Sequence, residues 1–237
     1  MIRLPRIPLF VLLFAASFSA HDAGPTGQDS CYDGAALAAC APANSGDTAA
    51  KPRQDGRFGR DAAAGAGTLT KTGAGAKGFD YTKVCFNGDL AGSGACTGAL
   101  VANTTASATG TPSTDWACTR DNVTNLIWSL ESGIGNWTTY AQTTLPAVTN
   151  AASRCGYSTG WRLPTRRELL FITHSGAWLP AIGSAYFPAT QSGWYWSADT
   201  YVPVPVGAWV VHFHGGGASA GNKAYSGYVR LVRSSGQ

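Results

Sequence analysis

Charge is scarce in this 237-residue chain, where Asp, Glu, Lys and Arg together make up 13%. Methionine occurs once, at the first position. A composition this poor in charge, with 30 glycines, excludes helical bundles and coiled coils, whose faces need Glu, Lys and Arg in quantity. No C-x-x-C pair is present, which argues against cysteine-zinc sites. There is no phosphate-binding glycine loop, no stretch reads as a nucleophile elbow between a strand and a helix, and no His/carboxylate pair stands out. After the first twenty residues, no apolar run is long enough to cross a membrane.

What is present points outside the cytoplasm. Arg3 and Arg6 precede an apolar run over residues 7–18 and small residues at Ser19 and Ala20, which reads as a secretory signal peptide over residues 1–20. The expected location is secreted, periplasmic or cell-surface. Six cysteines follow, an even set suited to an oxidising compartment. Nearest-neighbour pairing joins Cys31 to Cys40, Cys85 to Cys96 and Cys118 to Cys155. Aromatic residues make up 11% of the chain, so a loop-rich, aromatic-cored α+β fold is expected.

The local signals are strongest at Trp161-Arg162-Leu163-Pro164-Thr165-Arg166-Arg167-Glu168-Leu169-Leu170. Thr165 followed by Glu168 is a capping box. Pro164 keeps Leu163 extended, Leu169, Leu170 and Ile172 supply an apolar face, and a helix is expected to end near His174, with Gly176 as its stop.

Residues 21–77, rich in Ala and Gly, read as a mostly irregular arm with a small disulfide loop. Residues 78–114 read as a strand and disulfide hairpin extension, in which Cys85-Phe86-Asn87-Gly88 echoes Cys31-Tyr32-Asp33-Gly34. Residues 115–237 form the last unit. Its start, 116–129, reads as a turn and then a buried strand, and residues 146–154 as a helix with Pro146 in its first turn and Cys155 facing the core. Strands are expected near 194–197, 208–214 and 228–232, with a glycine-rich turn over 215–221. Asn-x-Ser/Thr triplets beginning at Asn103, Asn122 and Asn136 are read as chance.

The ordered series Asp121, Thr124, Leu126 and Trp128, then Cys155-Gly156, Trp161-Arg162-Leu163-Pro164-Thr165 with Glu168, Phe187-Pro188, Tyr195-Trp196-Ser197, Ala208-Trp209 and Val229-Arg230-Leu231-Val232-Arg233 resembles the Lcl C-terminal domain family. The resemblance implies a C-type-lectin-like fold, two short helices with a twisted antiparallel sheet, in a bacterial surface or secreted protein. In the name-giving adhesin the domain is a trimeric head that binds sulfated polysaccharides. The chain departs from that pattern at Asn125, where the family has Gly, and lacks a collagen-like repeat.

On this reading the chain is a binding module and not an enzyme, with no cofactor and no nucleic-acid partner. A polysaccharide or surface glycan, including sulfated or acidic ones, is the expected ligand. The alternative is an assembly subunit that binds protein partners, and a homo-oligomer is compatible with either.

Candidate ligand contacts are Arg166, Arg167, Lys223 and Arg233, which can fork onto sulfate or carboxylate, and Trp194, Tyr201 and Tyr225, which can stack on sugars. Arg166 and Arg167 sit in a first helical turn, where the dipole disfavours cations. Arg162 and Arg230 are read as structural, and Trp196 and Trp209 as core. His212 and His214 share a strand face but would need a third ligand, His174 or Asp199, to hold a metal. From Trp116 onward eight basic residues face four acidic ones, an excess that suits an acidic partner.

Overall fold

The computed structural model describes residues 25–28, 30–32, 37–39, 59–105, 111 and 114–236. The signal segment, Cys40 and the side chain of Cys31 lie outside the described residues, and with them the expected Cys31–Cys40 pair. A short hairpin, β1 (Ser30–Tyr32) and β2 (Leu37–Ala39), precedes helix α1 (Gly59–Gly65). Order therefore begins before Gly78. Buried Asp61 of α1 accepts the N–H of Thr26 and that of Gly78, both at 2.8 Å, and so pins part of the arm to the main body.

The body is α+β, built on two sheets. The first runs in the order β12 (Val232–Ser234), β6 (Leu126–Ser129), β5 (Asp115–Asp121), β3 (Tyr81–Cys85), all antiparallel, with β4 (Val101–Ala102) parallel to β5. The second runs β10 (Gly217–Asn222), β9 (Gly207–His212), β8 (Trp194–Thr200), β11 (Gly227–Val229), β7 (Gly133–Gly135), antiparallel except for β8 with β11. Two helices complete the body: α2 (Leu145–Ala151) and α3 (Arg166–Phe171).

Because strand side chains alternate, β8 and β9 feed two cores. Trp196, Ala208 and Val210 join Ala141, Leu145, Trp161 and Leu163 on the α2 side. Tyr195, Val211 and Phe213 join Leu169, Ile172, Trp128 and Phe187 on the α3 side.

The capping box forms as expected. Thr165 Oγ1 accepts the Glu168 N–H at 3.2 Å and Glu168 Oε2 accepts the Thr165 N–H at 2.7 Å. The helix is one turn shorter than expected, ending at Phe171, since Ile172 leaves helical geometry with ψ near 1°. Arg162 forks onto Glu168 at 2.9 and 2.7 Å. Two disulfides, Cys85–Cys96 and Cys118–Cys155, match the expected pairs.

Several expectations are corrected. Residues 115–129 form a complete hairpin, β5 and β6, turned at Asn125. Asn125 has φ 57°, left-handed backbone that Asn tolerates best after Gly. The glycine-rich segment is not all turn: residues 217–222 are edge strand β10, whose alternation carries no apolar signal because the face turned toward Trp196 and Val210 holds only Gly217, Ser219 and Gly221. The expected strand at 228–232 is two strands in different sheets, divided at buried Arg230 and Leu231.

The helix over 146–154 stops at Ala151 and is preceded by a widened helical stretch, Trp137–Thr144, capped by the Asn136 side chain. Cys155 then lies in a tight turn with φ 55° and not on the helix. Of the glycosylation triplets, Asn122 bonds to Asp80 and Thr82, and Asn136 is this cap, so both have structural work. Buried Glu131 accepts from Thr149 and pairs with buried Arg154 at 3.4 Å, closing α2 onto the first sheet.

Burial opposes ionisation of Glu168, but the Arg162 fork and the Thr165 N–H outweigh it and hold the carboxyl below its usual value. Its contribution to stability is therefore complete above the ordinary glutamate value of about 4.3. It is lost as acidification passes the depressed folded value. Thr165→Ala is expected to cost about 1 kcal/mol in denaturant unfolding. Glu168→Gln is expected to lower stability at neutral pH and to converge with the parent in acid, checked by unfolding from pH 7 to pH 3.

Candidate functional site: an aromatic groove beside the open sheet edge

The sequence-predicted contacts do not assemble into one surface. Trp194 and Tyr225, 45% and 71% exposed, flank a groove of about 240 Å³ on the α2 side of the second sheet. Strand alternation puts Trp194, Trp196, Val210 and Ser219 on this face. Its wall also includes Asn222 and Ser226, so the groove offers two exposed rings, two hydroxyls and an amide, with no Lys, Arg, Asp or Glu.

The floor is Trp196, whose indole N–H donates to the Gly135 carbonyl at 3.1 Å. The ring lies so close over Gly221 and Gly227 that a Cβ on Gly227 would stand 2.7 Å from its Nε1 and one on Gly221 3.1 Å from its Cη2. Those glycines let the floor close. One wall is stiffened by a stack: Trp194 lies parallel to His212 with ring centroids 4.1 Å apart, His212 on His214 at 5.5 Å, and Trp178 meets His214 edge-on at 5.7 Å.

The cations are elsewhere. Arg166 lies 4.1 Å over the Trp209 ring, and Tyr201 meets the same ring edge-on. Trp209 is therefore half-buried under a guanidinium and not core as expected. The Arg166 N–H donates to Asp199 at 2.6 Å, so an acid 33 residues away supplies the negative charge that the first turn of α3 lacks. No local sequence signal could have shown this.

Arg167 is exposed beside Phe171. Lys223 donates to Thr200 at 2.8 Å, sits 4.2 Å over Trp137, and lines a separate shallow depression that shares only Asn222 with the groove. Arg233 is corrected outright: 1% exposed, it packs 3.5 Å over Tyr157 and donates toward the Thr159 carbonyl, so it is interior and not a ligand contact.

Arg230 is likewise enclosed, donating to the Ser129 carbonyl and to Thr190, and burial pulls its pKa down. With Arg154, Arg230 and Arg233 inside and Arg162 held by Glu168, half of the basic residues after Trp116 are spent internally. The charge excess says little about a partner.

His174 packs against Phe79, and Asp199 holds the α3 terminus, so neither joins His212 and His214. Among the described residues no three His, Cys, Asp or Glu side chains converge to hold a metal. Residues 217–221 spell Gly-Ala-Ser-Ala-Gly, the letters of a hydrolase elbow that sequence reasoning missed. Ser219 lies mid-strand in β10, without the strand-to-helix turn that exposes such a nucleophile.

Gly227→Ala is expected to displace the Trp196 ring and destabilise by about 1–3 kcal/mol, the usual scale of overpacking. Intrinsic tryptophan emission and chemical unfolding check it.

No described helix is long and apolar enough to cross a membrane. The two disulfides fit an oxidising compartment. No curated protein matches the chain significantly. Residues 117–233 match the model of the Lcl C-terminal domain, which takes in both disulfide-bonded Cys118 and Cys155, the capped helix α3 and every strand of the second sheet. Over that region, just under half of its length, the chain carries an Lcl C-terminal domain.

Proposed function

We propose that the domain is a surface or secreted binding module that recognises an uncharged stretch of glycan in the Trp194–Tyr225 groove, and that it is not an enzyme. The observation that carries this reading is the composition of the groove: two exposed rings beside Ser219, Asn222 and Ser226, with no charged wall. Aromatic faces take the C–H face of a sugar ring, and the hydroxyls and amide match its hydroxyls. Tyr225 is the one titratable side chain in the wall, which leaves no acid–base pair for hydrolysis. The lectin-like fold implied by the family resemblance is part of this proposal, and two α-helices packed on antiparallel-rich sheets agree with it.

The second reading, assembly through protein contacts, has its own support. Val202, Val204 and Val206 are 80%, 51% and 64% exposed on the loop joining β8 to β9.

A glycan array with the mature chain at low and high salt is the test. Binding to neutral glycans is expected to persist in salt, because no cation lines the groove. Trp194→Ala and Tyr225→Ala are each expected to weaken it about 5- to 10-fold, the scale of one aromatic contact, and Arg166→Ala to leave it unchanged. Binding of sulfated chains alone, abolished by salt, would move the site to the arginines. An array with no ligand would favour the assembly reading.

A further inference from the structure

Strand β10 is an open edge of the second sheet. Among the described residues it pairs only with β9, in unbroken register from Gly217 with His212 to Asn222 with Gly207, and every residue in it but Gly221 is exposed. Natural edges are guarded by lysine, proline, a bulge or a covering element. Gly-Ala-Ser-Ala-Gly-Asn has none of these residues, and the register has no bulge.

The pairing also says which backbone groups are free. Just beyond the strand, the Lys223 N–H donates to the Val206 carbonyl, so pairs in step with it, through Gly221, Ser219 and Gly217, are the hydrogen-bonded ones. Ala218 and Ala220 fall between them and turn their N–H and C=O groups toward the open side.

Each end of this edge carries exposed apolar side chains. At the Asn222 end, the Lys223–Val206 bond fixes the loop bearing Val202, Val204 and Val206. At the Gly217 end, the Leu179 N–H bonds to the His214 carbonyl and Trp178 packs on the His214 ring, with Trp178 69% and Leu179 49% exposed.

We propose that β10 pairs with β10 of a second copy, antiparallel about a two-fold axis centred on Ser219. In that register Ala218 of one copy opposes Ala220 of the other, and the free groups of both alanines are satisfied on both chains. Opposed residues of an antiparallel pair share a face, so the axis stands normal to the sheet. The valine loop of one copy then lies at the same end as Trp178 and Leu179 of its partner, and the same holds at the other end.

One symmetric operation thus pairs both edges and sets unlike apolar patches at the same end twice. No charge opposes a like charge across the strands, since neither edge carries one. An unrelated extended peptide would pair the edge but has no reason to cover both ends. Both grooves would open on one side of the joined sheet, which makes the dimer bivalent toward any ligand they share. The inference does not rest on what the grooves bind.

Sedimentation equilibrium of the mature chain without ligand is the test, and a monomer–dimer equilibrium is expected. The double variant Ala218→Lys with Ala220→Lys sets lysine against lysine and is expected to be monomeric. Ala218→Lys with Ala220→Glu sets lysine against glutamate and is expected to restore the dimer, which separates lost pairing from lost folding.

Ser219→Cys is expected to cross-link the dimer on oxidation, because opposed residues of a non-hydrogen-bonded pair stand about 4.5 Å apart at Cα. Ala218→Cys is expected not to cross-link. A parent chain that stays monomeric at every concentration would overturn the proposal, as would a dimer indifferent to both double variants.

Discussion

The rest of the domain depends on a seam of backbone hydrogen bonds at residues 162–166. Arg162 exchanges two of them with Val232 of the first sheet, at 3.0 and 2.9 Å. Two residues later, the Pro164 carbonyl accepts from Ala198 of the second sheet at 2.7 Å, and Asp199 takes the Arg166 N–H. The side chains repeat the arrangement, Trp161 and Leu163 entering the α2-side core and Leu169 and Ile172 the α3-side core. The capping box and the Arg162 fork fix the bend that makes this possible. Beside the two cores to which both sheets contribute, this seam and the chain crossing at Arg230 and Leu231 are where the backbone joins them.

The groove is a consequence of this arrangement. With its two cores served by alternate residues of β8 and β9, the second sheet has Trp196 filled in on one face near its middle, while Trp194, two residues earlier, runs out past the cover of α2. Gly221 and Gly227 accept the Trp196 ring, and Tyr225 rises from the turn between β10 and β11 to face Trp194 across the opening. The cations that the sequence places near these aromatics serve Trp209, Phe171 and Trp137 instead.

Legibility followed the range of the interaction. The capping box needs four consecutive residues and Cys85–Cys96 spans only 11, so these could be read directly, whereas Cys118–Cys155 spans 37 and was legible only because no other cysteine lies between the two. Asp199 capping α3 from another strand, and Arg233 buried over Tyr157, depend on contacts 33 and more residues away. β10 escaped for another reason. A strand whose inner face carries only glycine and serine has no apolar alternation, so its glycines looked like a turn. The split between β11 and β12 was hidden by continuity, because a run buried throughout looks the same whether it stays in one sheet or crosses to the next.

Native-state hydrogen exchange at the seam tests this account most directly. If the seam joins the sheets, the amides of Arg162, Ala198 and Val232 should exchange only through global unfolding, as slowly as the slowest amides of β5 and β9. If those three exchange orders of magnitude faster while both sheets stay protected, the sheets hold independently and the seam is not what joins them.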